Sequence, residues 1–464
     1  MHQPAVSWRD AFWTWCRVAA LSFGGPTGQI AVMHRVLVEE KKWISEHRFL
    51  HALNYCMLLP GPEAQQLATY SGWLLHGTRG GLMSGGLFIL PGFVTILVLS
   101  IVYATYGQTD FVAALFFGLK PAVTAIVVEA VIRIGKRVLK NWVMVTLAAA
   151  AFIGIFFFEL PFPLIILAAG LIGLVGGWLQ PGLFHVIKGH AAGHDDDHRP
   201  ADAAAPLRQK TTVAKSFLVA AIWLTIWFVP IAVLALIFGP ESIYVTQGLF
   251  FSQAAIVTFG GAYAVLPYIS QQAVEHYKWL KPTEMLDGLG MAETTPGPLI
   301  MVVQFVGFLG AYRNPGDLPP LAAGVLGSII TVWATFAPCF LYIFVGAPYI
   351  ERLRANKSLS CALSAITAAV VGVVLNLALW FAIHVLFGDA GETRYAPLHL
   401  RWYQPDWTTI SWPSVHIAIL ASLVLFAMKR GMFAALGVGV LLGIVFYAAG
   451  WIEPINSLPA RVVP

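Results

Sequence analysis

The sequence predicts an all-α polytopic membrane protein made of two homologous, inverted repeats, with Gly/Pro-broken helices and about 13 transmembrane or re-entrant elements. Three observations predict this fold class. First, 58% of the 464 residues are hydrophobic and 11% are charged, whereas soluble chains carry about 25% charged residues. Second, apolar runs of about 20 residues recur, which is the length that a helix needs to cross a bilayer. Third, the same glycine and proline interruptions occur twice along the chain.

The repeat is marked by short motifs that recur at a constant spacing of 236 residues, as between Gly24 and Gly260. Farther along, Pro91 matches Pro338 at a spacing of 247 residues. Duplicated hydrophobic halves with helices interrupted at matching positions are typical of secondary transporters whose binding site lies between the repeats. The recurring motifs are Phe23-Gly24-Gly25 with Phe259-Gly260-Gly261, Lys42-Trp43 with Lys278-Trp279, and Pro60-Gly61-Pro62 with Pro296-Gly297-Pro298.

Residues 1–180 are predicted to form the first transporter repeat, with six apolar elements. The first element is interrupted at Gly24-Gly25-Pro26 and the second at Pro60-Gly61-Pro62. Glycine permits sharp turns and proline lacks an N–H group, so each of these sequences breaks the helical hydrogen-bond ladder. The six elements lie near residues 11–38, 49–76, 82–105, 110–135, 142–158 and 162–180.

Residues 181–215 form a polar segment that is predicted to be a cytoplasmic linker. Its histidines and aspartates have the composition of a metal-binding tract but no fixed ligand spacing. We therefore interpret the segment as a flexible, solvated linker, and we predict no metal site and no cofactor. The residues concerned are His185, His190, His194, Asp195, Asp196, Asp197 and His198.

Residues 216–240 hold an apolar element without a counterpart before the first repeat, and we predict that it is a connecting transmembrane helix. If every element crosses the membrane once, this unpaired helix makes the two repeats inverted. Residues 241–464 form the second repeat, whose elements lie near residues 248–274, 284–312, 319–346, 359–387, 411–428 and 432–451.

The distribution of Lys and Arg predicts a cytoplasmic N-terminus, because basic residues then concentrate in cytoplasmic loops and in the linker. One loop disagrees, because four of its basic residues would lie outside, namely Arg35, Lys41, Lys42 and Arg48. If the first two elements of each repeat return to the face from which they start, this loop becomes cytoplasmic and the repeats stay inverted. The sequence leaves both arrangements open, thirteen full spans or nine spans with four re-entrant elements.

The broken helices are candidates for an anion site. A half-helix that starts inside the membrane presents unpaired N–H groups and about half a positive charge, which suits a tetrahedral oxyanion. Gln65 and Gln66 would donate to such an ion, whereas Glu63 would repel it unless protonated or turned away. Alternatively, the breaks only kink packed helices and nearby hydroxyls only cap freed carbonyls. The candidate substrate-binding residues are Ser22, Gly24, Gly25, Pro60, Gly61, Pro62, Gln65, Gln66, Lys120, Thr258, Gly260, Gly261, Thr295, Pro296, Gly297 and Pro298.

Lys120 is the one basic residue placed deep in an apolar run. A lysine at the bilayer centre costs about 2.5–3.5 kcal/mol on insertion scales, so it is expected to face a cavity or a partner. As a cation near the oxyanion it would offset the negative charge. The alternative is a structural lysine whose long stem reaches the membrane surface.

The motifs around the breaks also resemble those of a known family. They are Ser22-Phe23-Gly24-Gly25-Pro26, Gln29-Ile30-Ala31-Val32-Met33-His34, Leu53 to Gln66, Leu119-Lys120-Pro121-Ala122-Val123, Thr258 to Tyr263 and Thr295-Pro296-Gly297-Pro298-Leu299. With these motifs in both halves, the chain is similar to the long-chain, two-repeat chromate ion transporter family. The resemblance implies a multi-pass protein of the bacterial inner membrane that exports chromate and confers chromate resistance. It implies chromate as the substrate. Sulfate is a candidate competitor because it is also a tetrahedral dianion of similar size, and a homodimer stays open.

Several other function classes are disfavoured. The chain has no Gly-x-x-x-x-Gly-Lys-Ser/Thr loop for an ATP-driven pump and no His-Glu-x-x-His or Gly-x-Ser-x-Gly motif for a hydrolase. The chain shows no element that would bind in a nucleic-acid groove, so we predict no nucleic-acid partner. We predict a carrier without enzymatic activity, whose partners are chromate and the lipid bilayer. Transport of sulfate or another oxyanion and an anion channel stay open as alternatives.

Overall fold

The computed structural model describes residues 6–107, 109–184, 212–349, 357–395 and 400–452. The predicted His/Asp cluster of the linker lies outside these residues. In the described part of the chain, helices dominate, as predicted, and six of them are long and apolar enough to cross a membrane. Large apolar side chains on these helices are exposed, such as Leu236 at 87%, as expected for surfaces that face lipid.

The helices of the first half follow the apolar runs. The long helix α4 (Glu63–Tyr106) contains two non-helical residues, His76 and Gly77, so it consists of two helices that meet at this kink. The helices are α1 (Trp8–Leu21), α2 (Gly25–His34), α3 (Glu46–Cys56), α4 (Glu63–Tyr106), α5 (Asp110–Val138), α6 (Trp142–Phe158), α7 (Phe162–Leu179) and the short α8 (Pro181–Phe184).

The second half has the same order of helices, preceded by the connecting helix α9. It also contains an antiparallel hairpin, β1 (Ala390–Tyr395) with β2 (Leu400–Pro405), which the apolar runs do not predict. The helices are α9 (Val213–Phe238), α10 (Ile243–Val257), α11 (Ala262–Gln271), α12 (Pro282–Thr294), α13 (Val302–Arg313), α14 (Pro320–Gly346), α15 (Lys357–Leu386), α16 (Trp412–Ser422) and α17 (Met432–Ala448).

The four broken elements have the same backbone conformation in both halves. Gly24 and its mate Gly260 have φ of 83° and 84°, and Gly61 and its mate Gly297 have φ of 115° and 103°. Residues other than glycine rarely adopt these φ values. The equivalent breaks support the two-repeat architecture that the motifs predict.

A second local feature recurs after the Gly-Gly breaks. Helix α2 continues as a π-helical turn over Arg35–Glu40, and α11 continues as one over Gln272–His276. Each turn ends before a left-handed lysine, Lys42 with φ of 55° or Lys278 with φ of 54°. The Lys-Trp motifs therefore recur at matching positions of the two repeats because these helices end in the same way.

The described chain divides into two compact units, and each unit draws on both repeats. The first unit combines Met1–Leu97, Ala169–Val265 and Thr295–Thr367, and it contains all four breaks. Its core includes Trp15, Phe49 and Phe88, which are at most 1% exposed. The second unit combines Val98–Ala168, Leu266–Thr294 and Ala368–Pro464.

In the second unit, Arg401 attaches the hairpin to the end of helix α6. Its guanidinium is 2% exposed and donates to the carbonyls of Phe156 and Ile155 at 3.0 and 3.3 Å. It also lies 3.2 Å from Glu159 and 3.5 Å from Glu275. A buried arginine with these partners satisfies the last carbonyls of a helix and fixes the strand beside it.

Small residues bring α5 and α17 together in the second unit. A Cβ atom on Gly439 would lie 2.6 Å from the Gly118 carbonyl oxygen and 2.8 Å from the Ala122 Cβ. Such close backbone approach is typical of helix pairs in membranes. Gly443, one turn later, is as close, since its Cβ would lie 2.5 Å from the Ala114 carbonyl oxygen. Two turns of α17 therefore depend on glycine for packing.

We predict that Gly439→Ala destabilises the protein by about 1–3 kcal/mol, because the added methyl group overpacks the contact with α5. Gly437→Ala on the same helix is the matched control, since its Cβ meets nothing within 4 Å. The measurement is the midpoint of thermal unfolding in detergent. A Gly439→Ala protein that unfolds at the same temperature as Gly437→Ala would contradict the packing.

Candidate functional site

The Pro-Gly-Pro loops and the Gly-Gly breaks exchange backbone hydrogen bonds across the repeats. In the first unit, the Gly61 N–H donates to the Thr258 carbonyl at 2.7 Å, and the Gly297 N–H donates to the Ser22 carbonyl at 2.9 Å. Ser22 and Thr258 occupy equivalent positions, as do Gly61 and Gly297. Each loop of one repeat is therefore held by the break of the other repeat.

Both loops pass so close to a neighbouring helix that a side chain would not fit. A Cβ on Gly61 would lie 2.9 Å from Gln66 Nε2 and 3.0 Å from Cys339 Sγ, and a Cβ on Gly297 would lie 3.0 Å from the Gly92 Cα. Gly92 and Cys339 follow the matching prolines Pro91 and Pro338. The two loops thus contact equivalent positions of opposite repeats.

Four half-helices begin at these breaks. Helix α2 starts after Gly24, and a short 3-10 turn before α13 starts after Pro298, in both cases without a side-chain cap. Helix α4 begins at Glu63 and α11 at Ala262. Uncapped helix starts present N–H donors and partial positive charge. The predicted residues at the breaks are therefore brought together in one unit, with the donors that an anion needs.

The hydroxyl groups beside the Gly-Gly breaks act as caps in this structure. Ser22 Oγ donates to the Val18 carbonyl and Thr258 Oγ1 to the Ala254 carbonyl, each at 2.6 Å. These bonds match the alternative in which hydroxyls hold freed carbonyls. Thr295, the third hydroxyl among the candidates, is also buried.

The amide groups of Gln65 and Gln66 donate to the protein. Gln66 Nε2 donates to the Pro60 carbonyl at 2.6 Å, and Gln65 Nε2 donates to Thr69 Oγ1 at 3.0 Å. Sequence reasoning assigned these donors to an anion. Here Gln66 holds the start of α4 against the loop that precedes it, and Gln65 bonds within α4.

Gln29, which the sequence reasoning missed, is a third amide at the breaks. Its Nε2 donates to the Gly297 carbonyl at 2.6 Å, and the residue is 1% exposed. The signal that could have found it is a polar residue one turn after the Gly-Gly-Pro break, on an element that is otherwise apolar.

Lys120 lies in the second unit and has a buried partner. Its Nζ is 3.4 Å from Asp287 Oδ2, which also accepts a 2.9 Å hydrogen bond from the Tyr103 hydroxyl. Asp287 is 2% exposed. The sequence prediction of a partner or cavity for Lys120 did not identify Asp287, although an acidic residue within a broken apolar element was a readable signal.

The carboxyl group of Glu63 faces the other repeat. A Cβ on Gly261 would lie 3.9 Å from Glu63 Oε1, so this carboxyl group is near the second Gly-Gly break. The sequence predicted that a carboxylate here would repel a dianion unless it is protonated or turned away. Its position makes Glu63 part of the electrostatic environment of the breaks.

Comparison with known proteins agrees with this architecture. A sequence model described as "Chromate transporter" matches residues 9–174 and 245–444. The chain is 32% identical to a chromate transport protein of Pseudomonas aeruginosa, over 80% of both chains. It is 28% identical to a chromate transport protein of Cupriavidus metallidurans, over 80% of this chain and 82% of that protein.

A shorter relative covers a stretch as long as one repeat. An uncharacterized transporter of Bacillus subtilis is 28% identical over 180 residues, which is 39% of this chain and 83% of that protein. No solved structure matches the chain. The named relatives are transport proteins, which agrees with the prediction of a non-enzymatic membrane protein. The two matched regions and the identities above show that the chain belongs to the chromate transporter family.

Proposed function

We propose that this protein exports chromate across the inner membrane of a bacterium and thereby confers chromate resistance. The observation that carries the proposal is the crosswise pair of hydrogen bonds that joins the four breaks, Gly61 to Thr258 and Gly297 to Ser22. Relatives named chromate transport proteins support chromate as the substrate. Sulfate, a tetrahedral dianion of the same shape, is the proposed competitor.

We propose that the oxyanion binds among the breaks. The uncapped starts of α2 and of the turn before α13 would donate backbone N–H groups to it. Glycine at positions 24, 25, 260 and 261 would let the ion approach the backbone closely. The rest of the predicted site in this unit consists of Ser22, Pro60, Gly61, Pro62, Gln65, Gln66, Thr258, Thr295, Pro296, Gly297 and Pro298. Lys120, the remaining predicted residue, lies in the second unit beside Asp287.

The membrane potential favours export of such an ion. In a cell that is negative inside, moving a dianion outward is favoured by about 4.6 kcal/mol per 100 mV, because each charge contributes about 2.3 kcal/mol. This corresponds to about three decades of concentration ratio. Export driven by the potential, with or without the proton gradient, therefore requires no ATP.

We further propose that the first two elements of each repeat are re-entrant. Arg401 lies 3.5 Å from Glu275 and 3.2 Å from Glu159. With thirteen full spans, the loops that contain Glu159 and Glu275 would lie on opposite faces of a hydrocarbon core about 30 Å thick. The contact through Arg401 therefore supports a re-entrant first element in the second repeat. This element would start and end on the outer face, where Glu275 would lie.

The first repeat supports the same arrangement on the other face. Arg17 on α1 lies 2.7 Å from Glu40, which follows α2, so this element folds back on itself. His76, at the end of the second element, bonds to the carbonyl of Val6 at 2.8 Å. Both elements thus end on the face that holds the N-terminus. Nine spans and inverted repeats follow, with the cytoplasmic N-terminus predicted from the basic loops.

Cysteine labelling tests this topology. In a background without native cysteines, we expect Lys41→Cys to be protected from an impermeant reagent in intact cells and Lys281→Cys to be labelled. Thirteen full spans predict the reverse for both positions. Thr109→Cys should label and Ser358→Cys should not, because the repeats are inverted. Identical labelling of Thr109→Cys and Ser358→Cys would rule out inversion.

Transport assays test the proposed substrate and site. Inside-out vesicles should take up radioactive chromate saturably when their interior is positive, and sulfate should compete. Gly297→Ala should lower uptake about tenfold or more, because left-handed backbone costs a non-glycine residue about 1–2 kcal/mol and its Cβ would meet Gly92.

The control for Gly297→Ala is Gly86→Ala, whose Cβ meets nothing within 4 Å and which lies on an exposed face of α4. Wild-type uptake by Gly297→Ala would exclude the Pro-Gly-Pro loop from the site. Fast uptake that does not saturate would favour the anion channel.

Lys120→Met separates a structural from a transport role for this lysine. It leaves the buried Asp287 without its cation, and breaking a buried pair costs about 3–5 kcal/mol. We expect Lys120→Met to lower the unfolding temperature in detergent and the double variant with Asp287→Asn to recover part of the loss. Equal losses in both backgrounds would show that the pair is not coupled. Wild-type chromate affinity in the folded double variant would remove Lys120 from the proposed site.

A further inference from the structure

The two Pro-Gly-Pro loops each carry a carbonyl oxygen beside the breaks, and each of these oxygens is covered by a glutamine. Gln66 Nε2 donates to the Pro60 carbonyl and Gln29 Nε2 donates to the Gly297 carbonyl, both at 2.6 Å. Both residues are at most 1% exposed. One carbonyl of each loop is therefore bonded to a glutamine amide.

The covered carbonyls matter because of the sign of their partial charge. A carbonyl oxygen that faces a dianion is repulsive, and in an apolar site this repulsion is screened only weakly. An amide N–H that binds the oxygen occupies one of its two lone pairs and holds the peptide in place. The one N–H group of each loop, on its glycine, is already bonded across the repeats, so the donors for an ion come from the helix starts that follow the loops.

The Gly297 peptide is held on both sides. Its N–H donates to the Ser22 carbonyl at 2.9 Å, and its carbonyl accepts from Gln29. The 3-10 turn Leu299–Met301 begins two residues later without a side-chain cap. The orientation of this uncapped start therefore depends on Gln29, which belongs to the opposite repeat.

Both glutamines that cover the loop carbonyls belong to the first repeat. The mate of Gln29 is Val265 and the mate of Gln66 is Val302, and neither valine can donate. Gln66 covers the loop of its own repeat, while Gln29 reaches the loop of the other. These two glutamines of the first half are thus explained by the carbonyls that they cover.

We infer that Gln29 is a positioning residue of the oxyanion site, because its amide holds the Gly297 peptide and thereby the uncapped turn start that would donate to a tetrahedral dianion. The inference rests on the proposed function. It assigns Gln29 to positioning, not to direct contact with the ion.

Two variants of equal length test this role by chromate uptake into inside-out vesicles. Gln29→Met removes the donor and should raise the KM for chromate about tenfold with little change in kcat, because a buried carbonyl is left unpaired. Gln29→Glu presents an ionised acceptor at neutral pH and should raise KM further. At lower pH its protonated carboxyl group donates again, so the ratio of its KM to the wild-type KM should fall.

The ratio cancels effects that both proteins share, including the protonation of chromate itself and of Glu63 near the breaks. The matched control is Gln247→Met, an equally buried amide that donates to the Gly307 carbonyl at 2.9 Å. It should lower the unfolding temperature and leave the KM unchanged. Gln29→Glu provides the test even where Gln29→Met fails to reach the membrane.

Three results would overturn the inference. They are a wild-type KM for Gln29→Met, a KM ratio for Gln29→Glu that does not change with pH, and an equal rise in KM for Gln247→Met. Wild-type vesicles that take up sulfate but not chromate would instead refute the proposed substrate, and the same KM comparison would then be made with sulfate. Wild-type vesicles that take up neither ion would refute both proposals.

Discussion

Two backbone hydrogen bonds, from Gly61 to Thr258 and from Gly297 to Ser22, are the interactions on which the first unit depends. Inside a membrane no water is available to a broken helix, and each unsatisfied backbone group costs several kcal/mol. The exchange pairs the donor of each loop with a carbonyl that the opposite break has freed. Breaking four helices at one place is therefore tolerable because the breaks satisfy one another.

The remaining polar groups around the breaks follow from the same constraint. Ser22 and Thr258 use their hydroxyls on carbonyls one turn earlier, and Gln29 and Gln66 use their amides on the loops. What stays without a side-chain cap is the start of α2 and of the turn before α13. These helix starts carry partial positive charge, while the amide oxygens of Gln29 and Gln66 are buried acceptors without a hydrogen-bond partner among the described residues.

Glycine and proline made the breaks predictable, because their backbone limits act locally and need no tertiary contact. The positive φ values at Gly61 and Gly297 agree with that reading. Asp287 was readable as an acidic residue within a broken apolar element, but it could not be paired with Lys120, because the two lie 167 positions apart and a single long-range contact leaves no periodic signal. Gln66 was assigned to the ion because an amide donates equally well to an oxyanion or to Pro60, and only geometry distinguishes the two. The hairpin was missed because it contains no long apolar run.

The crosswise bonds also bear on how such a chain evolves. Each acceptor lies in the opposite repeat, so one repeat alone would leave its loop N–H without this partner unless a second copy supplied it. Two identical copies would have to carry every side chain twice. After gene fusion that restriction ends, and one half can lose polar residues that the other still provides. Val265 and Val302 are the repeat mates of Gln29 and Gln66, and apolar residues are expected there in a half that no longer has to supply these amides.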